Sequence, residues 1–201
     1  MIATRAGIGV TAAALAGGVA VAVKQDSTRA IDRAARRRIH PRRSPRVTAV
    51  AKGISFLAGP HFHPAVAAAL GVLIRVERGR GGYGPSAASL GATGVDNAVR
   101  IFVHQKRPPK AGRHHSRNRY AYPSGHTTAA TAIGVATAAA IAGELPRSQQ
   151  ILLWTTVAAV ALGVGWSRLY LDEHWLDDVV GGWMAGTVIG LGAASLESRL
   201  S

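Results

Sequence analysis

The chain contains no cysteine, which excludes disulfides and thiolate metal sites. Aromatics are sparse, with three Phe, four Trp and four Tyr in 201 residues, and acidic side chains are few: 10 Asp and Glu stand against 24 Lys and Arg. Apolar and charged positions do not alternate along the chain. The apolar residues, 48% of the total, are gathered into uncharged blocks at Ala6 to Val23, Gly53 to Ile74, Ile151 to Ser167 and Val179 to Leu196. Each block approaches the roughly 17–25 residues that cross a bilayer as a helix. Mean hydropathy is only +0.14 because very basic connecting segments dilute the blocks.

The formal net charge of +14 raises nucleic acid as a partner, and its distribution argues against one. Basic residues crowd into Lys24 to Arg46 and Lys106 to Arg119, just outside apolar runs, where Lys and Arg meet anionic head groups. A nucleic-acid-binding stripe needs a soluble scaffold. The expectation is one all-α domain over residues 1–201: a polytopic membrane protein built as a six-helix bundle.

Six spans are expected. The first is Ala6 to Val23, for which a cleaved signal peptide ending near Ala20-Val21-Ala22 is the rival reading. Asp26 to Ile39, capped at Ser27, reads as a basic helix on the membrane surface, closed by Pro41 and Pro45. The second span, Val47 to Ile74, is interrupted around Gly59-Pro60 and Pro64, and His61 and His63 at that break read as solvated or interfacial. The others are Ser86 to Val103, Ser124 to Ala142, Ile151 to Trp166 and Val179 to Leu196. In the last, Gly182, Gly186 and Gly190 form a small-residue stripe that permits close helix approach, and Trp166, Trp175 and Trp183 cluster near its start as interfacial aromatics do.

Three polar clusters interrupt this apolar sequence, and the span count puts them on one membrane face. Pro123-Ser124-Gly125-His126 opens a helix whose free N–H groups suit an anion, with Ser124 as cap and Gly125 allowing close backbone approach. His174 and Asp178 are four apart, so the carboxylate can hold one ring nitrogen and leave the other to attack. Arg100, Arg107 and Arg168 carry planar forks that pair with phosphate oxygens at two points. Asp96 lies one helical turn before Arg100, on the same face. Asp172, Glu173, Asp177 and Asp178 offer a rival divalent-metal site, which the nearby arginines would repel. Asp172, Glu173 and Asp177 therefore read as loop surface or a supporting layer, and His104, His114, His115 and Lys110 to Arg119 as solvated loop.

On these motifs the chain resembles the type 2 phosphatidic acid phosphatase superfamily, whose patterns are K-x6-R-P, P-S-G-H and S-R-x5-H-x3-D. Here they read Arg100-x6-Arg107-Pro108, Pro123-Ser124-Gly125-His126 and Ser167-Arg168-x5-His174-x3-Asp178. The second and third match completely, and the first has Arg100 in place of Lys. The resemblance implies a six-helix membrane fold and hydrolysis of a phosphate ester through a phosphohistidine, with no cofactor and no metal. It makes His174 the nucleophile, Asp178 its orienting partner and His126 the general acid. Arg100, Arg107, Arg168, Ser124 and the Gly125 amide would hold the phosphoryl oxygens.

The implied substrate is a membrane lipid phosphate: a phosphatidate-like lipid, a polyprenyl diphosphate or a polyprenyl-linked phosphosugar. A catalytically silent relative that binds anionic lipid or scaffolds partners is the alternative. The implied location is a bacterial cytoplasmic membrane. Because Lys24 to Arg46 follows an odd-numbered span, it shares a face with the catalytic loops, and the positive-inside tendency turns that face to the cytoplasm.

Overall fold

A computed structural model describes residues 11, 14, 17–39, 44–109 and 120–200. Half of the first expected span and the Lys110 to Arg119 run, with His114 and His115, lie outside these residues. Residues 17–24 are helical, and the helices that follow are α1 (Arg29–Ile39), α2 (Pro45–Leu57), α3 (His63–Arg78), α4 (Gly84–Phe102), α5 (Gly125–Ile141), α6 (Arg147–Tyr170) and α7 (Leu176–Leu200). Among the described residues there is no strand, only one antiparallel bridge between Lys106 and Tyr120 that ties the α4–α5 connection together. The all-α expectation holds.

The second apolar block is broken where Gly59-Pro60 indicated. Ser44 caps α2, its Oγ accepting from Val47 N at 3.3 Å, and Pro45 stands in the first turn, where no N–H is needed. After Leu57 the chain turns, closed by Phe62 N donating to Gly59 O at 2.9 Å, and resumes as α3 with Pro64 in its first turn. The two pieces take different neighbours: α2 runs along α6, and α3 along α4.

α5 is central and is contacted by α4, α6 and, most extensively, α7. The α5–α7 approach rests on the expected glycine stripe. A Cβ at Gly186 would stand 2.6 Å from Thr128 O, one at Gly190 2.6 Å from Ala132 O, and one at Gly182 3.0 Å from Ser124 O. Ala88, Ala92, Ala129, Ala132 and Ala136 fill the adjoining core, so the packing depends on backbone proximity and not on large side chains.

The helix ends define two faces of the bundle. At one, Glu197 accepts from Gly84 N at 2.9 Å and from Gly82 N, capping α4, while Arg78 reaches Ala140 O at 3.1 Å and pairs with Glu144. At the other end lie the α4–α5 and α6–α7 connections and α1. Thr28, Asp32 and Arg36, spaced four apart, face the bundle: Thr28 Oγ1 donates to Asp177 Oδ2 at 2.5 Å, Asp32 Oδ1 accepts from Asp177 N at 3.1 Å, and Arg36 Nε pairs with Asp172 at 3.0 Å. The helix begins at Arg29, slightly later than a Ser27 cap would place it. Ile31, Arg33, Arg37 and Arg38 remain exposed.

Apolar side chains also cover the outside. Val72, Leu73, Val76, Leu90, Ile101, Leu152 and Leu162 are all more than half exposed. α6 and α7 are long and apolar enough to cross a membrane, about 36 Å each at 1.5 Å per residue. Trp175 and Trp183 depart from the interfacial reading: their Nε1 groups donate to Lys106 O and Ala161 O, both at 2.9 Å, so they join elements inside the bundle.

Candidate active site

The three polar clusters converge. Arg100 and Arg107 come from the end of α4 and the connection after it, Gly125 and His126 from the start of α5, and Arg168 and His174 from the end of α6 and the following turn. All six line one cavity of about 270 Å³. Ser124 and Asp178, both 0% exposed, lie behind its wall.

His174 is positioned by the α6–α7 turn. Leu171 N and Glu173 N bond back to Ser167 O and Arg168 O at 3.0 Å each, and α7 starts two residues after His174. Asp178, in the first turn of α7, accepts Trp175 N at 2.8 Å through the Oδ2 that also meets His174 Nδ1 at 3.2 Å. One carboxylate thereby caps the helix and orients the imidazole. His174 Nε2 is left toward the cavity, 3.2 Å from Arg107 Nη1. Burial holds the His174 imidazole well below its ordinary pKa, and the charges of Arg107, Arg168, His126 and Arg100 act in the same direction. That direction favours the neutral ring at pH 7.

Each guanidinium is held from behind. Arg107 donates to Glu173 O at 2.5 Å and Tyr120 O at 3.4 Å. The Glu173 carboxylate stands 3.7 Å from Arg107 and 3.5 Å from Arg168, and Arg168 also donates to Ser55 of α2. Arg100 pairs with Asp96 at 2.9 Å, the same-face arrangement expected from their spacing. Asp96 in turn lies against Gly125, where a Cβ would be only 2.8 Å from its Oδ2. Glycine is required there by close approach.

Ser124 occupies the position before α5, but its side chain makes no capping bond. Its Oγ accepts from Thr127 Oγ1 at 2.9 Å, and Ser124 N donates to Asp178 O at 3.0 Å, so this residue locks the start of α5 to the start of α7. The expected cap is thus replaced by a bond between the two elements. Asp172 and Asp177 are 2% and 6% exposed, which corrects the loop-surface reading: their bonds to α1 bury them. Among the described residues no group of three or more His, Asp or Glu side chains is arranged to hold a metal ion.

Two contributors were not legible in the sequence. Ser55 and His63 flank the α2–α3 break, far from any motif. His63 is 9% exposed, lines the cavity and meets Ser89 Oγ through Nδ1 at 3.0 Å, which corrects the solvated or interfacial reading. His61, by contrast, is exposed. A lone histidine in an apolar run carries no sign of its partner; only the break beside it marked the place.

Comparison with known proteins gives a family and a similar fold. The sequence profile of the PAP2 superfamily matches residues 85–200. The fold is similar to the crystal structure of a transmembrane PAP2-type phosphatidylglycerolphosphate phosphatase from Bacillus subtilis, with a TM-score of 0.85 and 20% identity over 96% of this chain and 97% of that one. Among curated proteins no sequence match is found.

Proposed function

This chain belongs to the PAP2 superfamily, and on that premise we propose that it is an integral membrane phosphatase removing a terminal phosphate from a lipid phosphate without a metal ion. The observation that carries the reading is one cavity lined by His174, Arg100, Arg107 and Arg168. Three guanidiniums around one hollow suit a tetrahedral dianion, and phosphoryl transfer needs mainly such positioning and charge stabilisation.

In the first step His174 Nε2 attacks phosphorus, the P–O bond to the alcohol breaks, and His126 gives its proton to the departing oxygen. Asp178 supports the positive charge that develops on His174 through its bond to Nδ1. In the second step a water oxygen attacks phosphorus and the N–P bond breaks. The water's proton passes to His126, as reversal of its role requires. The Gly125 amide completes the set of phosphoryl donors in this reading, while Ser124, expected among them, is walled off from the cavity and holds the start of α5 in place.

The exposed apolar surface and the two long apolar helices support a bilayer setting. Six crossings are proposed: the N-terminal helix, α2 with α3 as one broken span, and then α4, α5, α6 and α7. Val23, near the end of the first, packs with Val103 and Tyr122 at the site end. The basic α1 therefore shares a face with the cavity, and we place that face in the cytoplasm.

The test is phosphate release by the purified protein in detergent from phosphatidate, phosphatidylglycerophosphate, a polyprenyl diphosphate and a phosphosugar lipid. Release that survives EDTA, is inhibited by vanadate and disappears in His174→Ala is expected. Activity retained in His174→Ala would end the proposal.

A further inference from the structure

The motif residues account for part of the cavity lining; the rest includes Ala58, Pro60 and His63 from the α2–α3 break, together with Ala92, Thr93 and Ala129. Ser89, the partner of His63, precedes Arg100 by 11 residues of continuous helix, about 16 Å at 1.5 Å per residue, so His63 lies deeper along α4 than the backbone of Arg100. The Arg168 side chain reaches Ser55 beside the same break.

His126 adjoins the same place. A Cβ on Gly59 would be 3.6 Å from His126 Nε2, and Gly59 O accepts His63 N at 3.0 Å, so the proposed general acid touches the same turn that starts with Gly59 and ends at His63. Both histidines line the cavity.

An imidazole buried among alanines is costly unless its nitrogens are satisfied. Ser89 Oγ serves Nδ1, which fixes the ring's orientation. Among the described residues no hydrogen bond reaches Nε2. A substrate placed with its phosphate among the arginines would lay the first atoms of its leaving group past His126 and against this ring. A glycerol-type linker offers an ester or hydroxyl oxygen there. A hydrocarbon chain joined directly to the phosphate offers none and leaves the nitrogen unpaired.

We propose that His63 is a specificity-determining residue that hydrogen-bonds the oxygen-bearing linker of the leaving group, so that the site prefers a glycerol-linked phosphate to a phosphate carried directly on a hydrocarbon chain. This rests on the phosphatase reading above. It also makes the broken second span, which lies outside the family motifs, a wall of the substrate site. Discontinuous membrane helices often place their break at a ligand in this way.

The experiment compares kcat/KM for 1-oleoyl lysophosphatidate and oleyl phosphate, which share a tail and differ in the linker. Purified wild type, His63→Leu and Ser89→Ala are assayed in detergent, with thermal midpoints recorded to confirm folding. Wild type should favour lysophosphatidate. His63→Leu should lower its kcat/KM by about tenfold, the scale of one or so hydrogen bonds, while oleyl phosphate changes by less than about threefold. Ser89→Ala, which frees the ring to rotate, should move the ratio in the same direction by a smaller factor. Equal losses on both substrates, no loss on either, or a wild type that does not discriminate would overturn the assignment. A wild type inactive on both, or activity surviving His174→Ala, would instead remove the phosphatase reading and this inference with it.

Discussion

His174 and Asp178 show how a short spacing becomes chemistry. The four-residue interval was readable because both side chains had to share a face, and the structure adds that Asp178 also caps α7 through Trp175 N at 2.8 Å. Two predictions belong at this scale. Burial first, and then the arginines, depress the His174 pKa, so nitrogen NMR of histidine-labelled protein in detergent, assigned with His174→Ala, should find this ring neutral at pH 6. A midpoint near the ordinary value of about 6.5 would contradict it. The same sign makes this group's contribution to stability intact above that range and lost as pH falls through it, since the unfolded chain then binds a proton that the folded site refuses. The second prediction concerns Arg100, which stands where the family pattern has Lys. Arg100→Lys should keep kcat/KM within about tenfold, because charge persists while one of two donor contacts is lost. Arg100→Ala should fall by more than about a hundredfold, the scale of a lost charge-assisted contact in the transition state. Equal losses in the two would show that geometry, not charge, governs this position. What the sequence hid at this scale were the partners from outside the motifs: Ser55, His63 and Asp32 have no local signature, because their roles depend on which helix lands beside them.

At the scale of elements, apolar blocks predicted where helices lie but not how they choose neighbours. The glycine stripe of α7 was legible as a surface for close approach; that α5 is what approaches it was not. Gly186→Ala forces a Cβ to 2.6 Å from Thr128 O, and overpacking of this kind costs about 1–3 kcal/mol. Its thermal midpoint in detergent should fall clearly, while Gly163→Ala, with nothing within 4 Å of the added atom, should not lower it. A fall of the same size in both would deny the stripe its role. The α1 attachment yields a pH prediction. Burial, and next to it the Asp177 carboxylate, raises Asp32 to about 7. A raised acid binds its proton more tightly folded than unfolded, so the α1 contact is strongest at low pH and weakens as pH rises from about 4 toward about 7. Hydrogen exchange of α1 should accordingly show protection falling across that interval, and Asp32→Asn should flatten the dependence. An unaltered slope in Asp32→Asn would assign the effect to other groups. The docking of α1 was hidden because its Arg-rich face dominates the pattern, while the residues that attach it, Thr28, Asp32 and Arg36, are spaced inconspicuously between.

Across the whole molecule, segregation of charge and apolar surface is the organising fact. The cavity with its histidines and arginines belongs to one end of the bundle, where α1 also brings exposed Arg33, Arg37 and Arg38, and the sides carry exposed Val, Leu and Ile. With no native cysteine, Arg37→Cys provides a clean probe of sidedness. An impermeant maleimide should label it only after cells are opened, and labelling of intact cells would place the cavity outside. The convergence of segments up to 78 residues apart, from Arg100 to Asp178, was foreseeable from the span order, because odd and even crossings bring those connections to one face. Its depth, and the part played by the second span, required coordinates. The most direct measurement is rapid quenching of purified protein mixed with phosphate-labelled lipid, followed by peptide mapping under alkaline conditions that preserve phosphoramidates. The account predicts a transient acid-labile label on His174 that forms and decays fast enough to carry turnover. Steady phosphate release with no labelled residue, or with the label elsewhere, would contradict it.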